Sequence, residues 1–227
     1  MKEQPLIRFF VGGPAFHPTG EQAAAICKWL GERYRYEIWD GAAAFDGLET
    51  VDLLVIMGLH WTGMTGCNLV YEPLNEQRKE AFRNHVRAGK PLLNFHGGIA
   101  SYDDWPEFGL LLGFRWDWKL TTHGHFGMVR VTIGPEAHPI TAGIPDHELA
   151  DELYVNIQAT PGMSLGVHAR TELSGAQFPM ILTGEGGRIE GAGRTVYLAN
   201  GHDMRAFQSP ALPGIWTNTI RWLLNQK

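Results

Sequence analysis

Short apolar runs alternate with amphipathic stretches along the first half of the chain. Residues 6–11 and 51–57 are almost entirely apolar, as expected of strands that are buried on both faces. Residues 21–33 and 75–88 instead carry apolar side chains at helical spacing. This alternation predicts an α/β fold, Rossmann-like or flavodoxin-like, with a mostly parallel sheet and helices on both of its faces.

The pattern changes from about residue 114 to residue 185. Four runs there are typical of strands separated by Gly and Pro: residues 128–133, 152–158, 164–169 and 178–183. They predict an antiparallel β extension of a single domain that spans residues 1–227. A strand over 194–199 and an amphipathic last helix close the pattern, and an exposed apolar rim around Trp216 and Trp222 of that helix would favour a homodimer.

Composition excludes several classes of function. Only 19% of the 227 residues are charged, the net charge is −5, and no basic run is present to bind nucleic acid. No apolar stretch approaches the roughly 20 residues of a membrane span, and the amino end lacks the pattern of a secretion signal. We therefore expect a cytoplasmic protein with no nucleic-acid or membrane partner. Cys27 and Cys67 are too few for a disulfide framework.

Histidines follow the predicted strands where a ligand site is expected. In open α/β sheets, ligands bind outside the carboxyl ends of the strands. His60, His96 and His202 each stand just after an apolar run, and His17 lies near the end of the first. Because imidazole is both an acid–base group near neutral pH and a common metal ligand, we predict that His96 and His202 share a catalytic cleft.

His96 lies in a sharp turn between glycines, which is typical of a strained strand-to-helix elbow. A nucleophile at such a turn would be Ser or Cys, and neither cysteine occupies one. A thiolate acyl-transfer mechanism therefore has no agent. Proton transfer is the alternative, with His202 as acid or base and Asp203 or Asp151 orienting it.

Carboxylates and aromatic rings complete the predicted site. Adjacent residues of a strand point to opposite faces, so only one of Asp151 and Glu152 should reach the cleft, and we favour Asp151 as the catalytic group. Aromatic faces with polar edges suit sugar rings. Substrate binding is accordingly assigned to four residues: His60, Trp61, Glu152 and Tyr154.

A metal site is the second hypothesis for the histidines. His123 and His125 are two residues apart, so they share one side of an extended segment. His96, His125 and His202 together could bind zinc or manganese and leave a position open for water. The His-Glu-x-x-His helical spacing of many zinc enzymes is missing from the sequence.

Several segments in order resemble the ThuA-like, or trehalose utilisation, family. They are LNEQRKEAF (74–82), VRAG (86–89), NFHGG (94–98), HGH (123–125), HPITAGI (138–144), DELY (151–154) and YLANGHD (197–203). The resemblance implies a fold similar to class I glutamine amidotransferases, with His96 about where that superfamily has its cysteine, and therefore no glutaminase activity. It also implies trehalose, related disaccharides or their 3-keto forms as the substrate class.

Two functions from different classes follow. The first is an enzyme of carbohydrate metabolism, a sugar isomerase or hydrolase with or without a metal, in which His96, His202 and a carboxylate move protons. The second is a non-catalytic module that senses sugars or binds a partner on an amidotransferase-like scaffold.

Overall fold

The computed structural model describes residues 4–226, which form 13 strands and four α-helices. The strands are β1 (Leu6–Val11), β2 (Arg35–Asp40), β3 (Leu53–Ile56), β4 (Leu92–Phe95), β5 (Phe114–Arg115), β6 (Thr122–His123), β7 (Gly127–Ile133), β8 (His147–Asp151), β9 (Tyr154–Val155), β10 (Gln158–Ala159), β11 (Ser164–Leu173), β12 (Ala176–Glu185) and β13 (Arg194–Leu198). The helices are α1 (Thr19–Leu30), α2 (Glu76–Arg87), α3 (Glu107–Leu112) and α4 (Leu212–Leu223).

Nine strands form one sheet in the order β2-β1-β3-β4-β13-β12-β11-β7-β8. The five strands from β2 to β13 pair in parallel, and every pairing from β13 to β8 is antiparallel. Two short ribbons, β5 with β10 and β6 with β9, lie outside it. The predicted α/β fold with an antiparallel β extension is confirmed.

Helices cover both faces of the parallel part. Through the register of β1, β3 and β4, Phe10 and Asn94 share one face, so Phe95 lies on the opposite one. Phe10 contacts Phe45, which packs in turn against α2. Phe95 contacts Trp216 of α4. Since both sides of β1 and β3 are buried, nearly continuous apolar runs are the expected sequence for these strands.

Two predicted elements are wrong. In each, a residue with positive φ turns the backbone at a point where the sequence pattern predicts that the element continues. The strand predicted over 152–158 is only two short ribbon strands, because Asn156 has a left-handed φ of 59°. The sheet strand in this region is β8, which ends at Asp151. In place of the helix predicted from Ile99, a short 3₁₀ helix spans His96–Ala100, Tyr102 follows it with a φ of 51°, and α3 starts only at Glu107.

The last helix does not present the apolar rim on which a homodimer was argued. Trp216 is fully buried in the core. Trp222 packs against Arg194, whose guanidinium carbon lies 4.5 Å from the ring centre, and against His138. Both tryptophans therefore stabilise the fold of this chain. Within residues 4–226, no helix combines the length and apolar character needed to cross a membrane.

A buried histidine of α2 makes stability depend on pH. His85 is 3% exposed, with Nδ1 3.4 Å from the carbonyl oxygen of Leu48, and burial lowers its pKa to about 4. Its pKa in the unfolded chain is near 6.5. The unfolded state therefore gains protons first as the pH falls. Between pH 7.5 and 5.5 this residue should lower the free energy of unfolding by about 1 kcal/mol, measured by urea denaturation.

A glutamine in place of His85 should remove that share of the pH dependence, since its amide does not titrate. His125→Gln is the control, because His125 is exposed and should keep the wild-type response. Equal pH slopes for His85→Gln and the wild type would contradict the assignment.

Candidate functional site

Four side chains converge at one edge of the sheet: His17, His96, Glu152 and His202. One ligand atom from each lies within 4.8 Å of the others. They follow the carboxyl ends of β1, β4, β8 and β13, respectively. Four successive antiparallel pairings separate β13 from β8, so β8 runs in the same direction as the parallel strands. All four residues therefore emerge at the edge where α/β proteins bind ligands.

His96 is held by the backbone with one ring nitrogen left free. Its φ of 42° lies in the left-handed region, as expected for the sharp turn after β4. Nδ1 lies 2.6 Å from the carbonyl oxygen of Ala199 and donates its proton there. Nε2 is buried and has no hydrogen-bond partner among the described residues. A buried polar atom without a hydrogen-bond partner costs free energy, so the lone pair of His96 Nε2 is available to bind a ligand.

His17 and His202 contact each other beside His96. Nε2 of His17 lies 2.9 Å from Nδ1 of His202. A Cβ atom at Gly97 would lie 2.9 Å from the His17 ring, which is closer than side chains pack. Glycine after His96 therefore lets the His17 ring approach the turn.

Burial keeps the three imidazoles neutral. It lowers the pKa of His17 to about 3, with a further contribution from His202, and lowers the pKa of His96 well below its usual range. The pKa of His202 is also lowered, because burial outweighs the nearby Glu152 carboxylate. Neutral imidazoles are the form that binds metals.

Asp151 is a buried anchor for the loop that carries His202. Its carboxylate accepts hydrogen bonds from the backbone N–H groups of Glu152, Gly201 and His202 and from the side chain of Asn200, at 2.8 to 3.0 Å. It is fully buried, and burial raises its pKa to about 6 despite these donors. Asp151 therefore positions the loop that carries His202 and does so without entering the cavity.

Glu152 is the carboxylate that reaches the cluster, which reverses the preference argued from the sequence. Its Oε2 lies 3.2 Å from Nδ1 of His202 and 3.3 Å from Nδ1 of His123. Only one residue of the pair reaches the cleft, as the alternation rule predicts. The rule alone does not say whether Asp151 or Glu152 reaches the cleft, because that depends on where β8 ends.

A cavity of about 390 Å³ opens above the cluster. Its walls are largely aromatic, and its polar groups gather at the end formed by the histidines. The lining residues are Phe16, His17, Leu59, Trp61, Gly97, Ala100, Trp116, Trp118, His123, Glu152, Tyr154 and His202. Neither cysteine is among them. The Tyr154 ring also lies against the His96 ring, with centroids 4.1 Å apart.

Three residues expected in the site lie elsewhere. His60 is buried with Nε2 3.3 Å from the carbonyl oxygen of Val11, and it does not line the cavity. Asp203 turns to Arg205. His125 is exposed and is not part of the cluster, so the set of His96, His125 and His202 is not the one that converges.

His17 and His123 are site residues that were named from the sequence but not assigned to the site. His17 follows the first strand, so the strand-end rule that selected His96 and His202 applies equally to it. His123 had only its two-residue spacing from His125 as a signal, which does not distinguish the two. The β6–β9 ribbon places His123 opposite Tyr154 and thus at the cavity.

Comparison with known proteins gives the family. The chain is similar to a ThuA-like protein of Bacteroides uniformis, with 18% identity, coverage of 98% of this chain and 93% of that one, and a TM-score of 0.69. A ThuA-like protein of Parabacteroides merdae gives 16% identity, coverage of 97% and 90%, and a TM-score of 0.72. A glutamine amidotransferase of Thermotoga maritima shares the fold at 9% identity, with coverage of 99% and 100% and a TM-score of 0.53.

No curated protein matches the chain. The family model described as trehalose utilisation matches residues 16–223, which is most of the sequence. The resemblance found in the sequence is thereby confirmed: the chain belongs to the ThuA family, which is described as trehalose utilisation.

Proposed function

We propose that the protein is a metal-assisted enzyme that acts on a sugar or keto-sugar. The observation that carries this proposal is the convergence of three neutral imidazoles and one carboxylate at the base of an aromatic cavity. Sites with three histidine ligands and an open position are typical of catalytic zinc. Manganese is the second candidate, because carboxylate and imidazole ligands also suit it.

The donor atoms present fit a divalent ion. Metal–nitrogen distances of about 2.0–2.1 Å place the donors of a tetrahedral site roughly 3.4 Å apart. Nε2 of His17 and Nδ1 of His202 are 2.9 Å apart, so a small separation would admit the ion. His96 contributes its unpartnered Nε2 while Nδ1 donates to Ala199, an arrangement that fixes the tautomer of metal-bound histidines.

The aromatic walls support a carbohydrate as the substrate. Trp61, Trp116 and Trp118 line the cavity with Tyr154. Aromatic faces pack against the CH faces of sugar rings, and the indole N–H and phenol O–H groups can bind hydroxyls. The sugar's reacting carbon would then lie toward the histidine end, where the polar groups are concentrated.

Proton transfer is assigned to groups that reach the cavity. When bound, a divalent ion polarises a carbonyl oxygen or lowers the pKa of a water molecule. Glu152 is the general base beside the three imidazoles, and His123, 3.3 Å away, orients its carboxylate. His96 is too enclosed to meet the substrate and serves as a ligand. This set supports proton abstraction next to a carbonyl or assisted hydrolysis.

Elemental analysis tests the proposal directly. Protein purified without a histidine tag should contain close to one zinc or manganese per chain, and chelation should lower its Tm because the ion binds only the folded state. Turnover of 3-keto-disaccharides should stop on chelation and return with the metal. Saturable sugar binding without metal or turnover would instead support a sugar-binding module.

A further inference from the structure

A second cavity of about 510 Å³ adjoins the histidine cavity. The two share three lining residues, Ala100, Trp116 and Trp118, so they border each other along this wall. Trp118 is 55% exposed, which is unusual for a tryptophan and leaves ring surface open to a ligand. The proposed reaction uses only the first cavity, and the second needs an explanation of its own.

Hydrogen-bond donors without partners belong to residues of this second wall. Nη1 of Arg115 and Nε1 of Trp116 are buried, and neither has a hydrogen-bond partner among residues 4–226. No carboxylate of that part of the chain pairs with the side chain of Arg115 or of Lys119, and both residues line the cavity. Buried donors of this kind are normally satisfied, so they indicate a binding partner.

Acceptors stand among the same residues. Asp103 accepts the backbone N–H and the hydroxyl of Thr62, each at 2.8 Å, and Asp117 accepts the backbone N–H of Lys119 at 2.9 Å. Each carboxylate keeps lone pairs for further donors. Two carboxylates and two cations balance, so the cavity does not select a charged ligand. Donors, acceptors and aromatic faces together match an uncharged, hydroxyl-rich group.

We propose that the second cavity is a recognition subsite for an uncharged polyhydroxylated part of the substrate. This part and the reacting group would lie on opposite sides of the wall formed by Trp116 and Trp118. This inference rests on the proposed function and deepens it. The substrate then has two parts: one enters the aromatic cavity at the histidines, and the other is bound by Asp103, Arg115, Asp117 and Lys119. Affinity for the second part should be independent of the metal ligands.

Calorimetric titration with one-ring and two-ring sugars tests the subsite. Methyl α-glucopyranoside reaches one cavity, whereas maltose and cellobiose can span both. We expect at least one of the two disaccharides to bind about tenfold more tightly than the glucoside. Arg115→Met retains the side-chain stem that packs on Gly109 and should abolish that advantage, while glucoside affinity changes less than twofold.

Lys119→Met is a second variant that carries little risk to folding, because Lys119 is exposed, and it should reduce the advantage severalfold. Arg130→Met is the matched control, since Arg130 is exposed on β7, and it should behave as the wild type. Equal affinities for all three sugars in the wild type, or an advantage that survives in Arg115→Met, would overturn the subsite alone. No binding of any sugar would overturn the proposed function and the subsite with it.

Discussion

Replacing His96 with alanine is expected to weaken metal binding by at least about 100-fold and to abolish turnover. His96 supplies a buried Nε2 that has no hydrogen-bond partner within residues 4–226, and its ring is fixed by the hydrogen bond to Ala199. Removing one imidazole removes a metal–nitrogen bond and disturbs the coordination geometry. Mutating even a residue that only hydrogen-bonds to a metal ligand typically lowers metal affinity about 10–100-fold. Competition with a chromophoric chelator, alongside elemental analysis, measures the loss.

Two further variants separate binding of the metal from chemistry. Glu152→Gln should keep the metal and lose turnover by about 10²–10⁴-fold, because the amide cannot accept a proton. His125→Ala should keep both, since His125 is exposed and lies outside the cluster. Full metal content in His96→Ala would refute the ligand assignment. Loss of metal in Glu152→Gln would make Glu152 a ligand and not the base.

The part of the site that follows the parallel strands could be predicted from sequence. Buried parallel strands are continuous apolar runs, so their ends can be read directly, and the residues just beyond them must gather at one edge of the sheet. His96 and His202 were found in this way, and their rings lie 5.6 Å apart between centroids. His60 satisfies the same rule but does not line the cavity, because the rule gives the edge of the sheet and not the direction of a side chain.

The antiparallel region could not be predicted to the same depth. Its strands alternate polar and apolar residues, and their pairing depends on contacts between segments far apart in sequence. Which of Asp151 and Glu152 reaches the cluster depends on where β8 ends. The strand ends at Asp151, whose carboxylate accepts hydrogen bonds from the loop at 200–202. His123 reaches the cavity only through the β6–β9 ribbon. These placements are tertiary facts that local periodicity does not contain.

Removing the Asp151 carboxylate is expected to be the most destabilising single change at the site. Asp151→Ala would leave four donors without their acceptor in a fully buried position: the N–H groups of residues 152, 201 and 202 and the Asn200 amide. Unsatisfied buried donors cost about 1–3 kcal/mol each before relaxation, so a loss of roughly 3 kcal/mol or more is expected in urea denaturation. Because the same loop carries His202, metal affinity should fall about 10–100-fold.

The neighbouring carboxylate provides the control. Asp203 adjoins His202 as Asp151 does in space, but it pairs with the exposed Arg205, so Asp203→Ala should leave stability and metal affinity close to those of the wild type. Asp151→Asn restores one acceptor oxygen and should recover part of both losses, which keeps the test usable if Asp151→Ala does not fold. If Asp151→Asn matched the wild type in metal affinity and stability, as Asp203→Ala is expected to, Asp151 would have no positioning role. An intermediate metal affinity in Asp151→Asn is the outcome expected of a residue that acts through the backbone of His202 and not through the substrate.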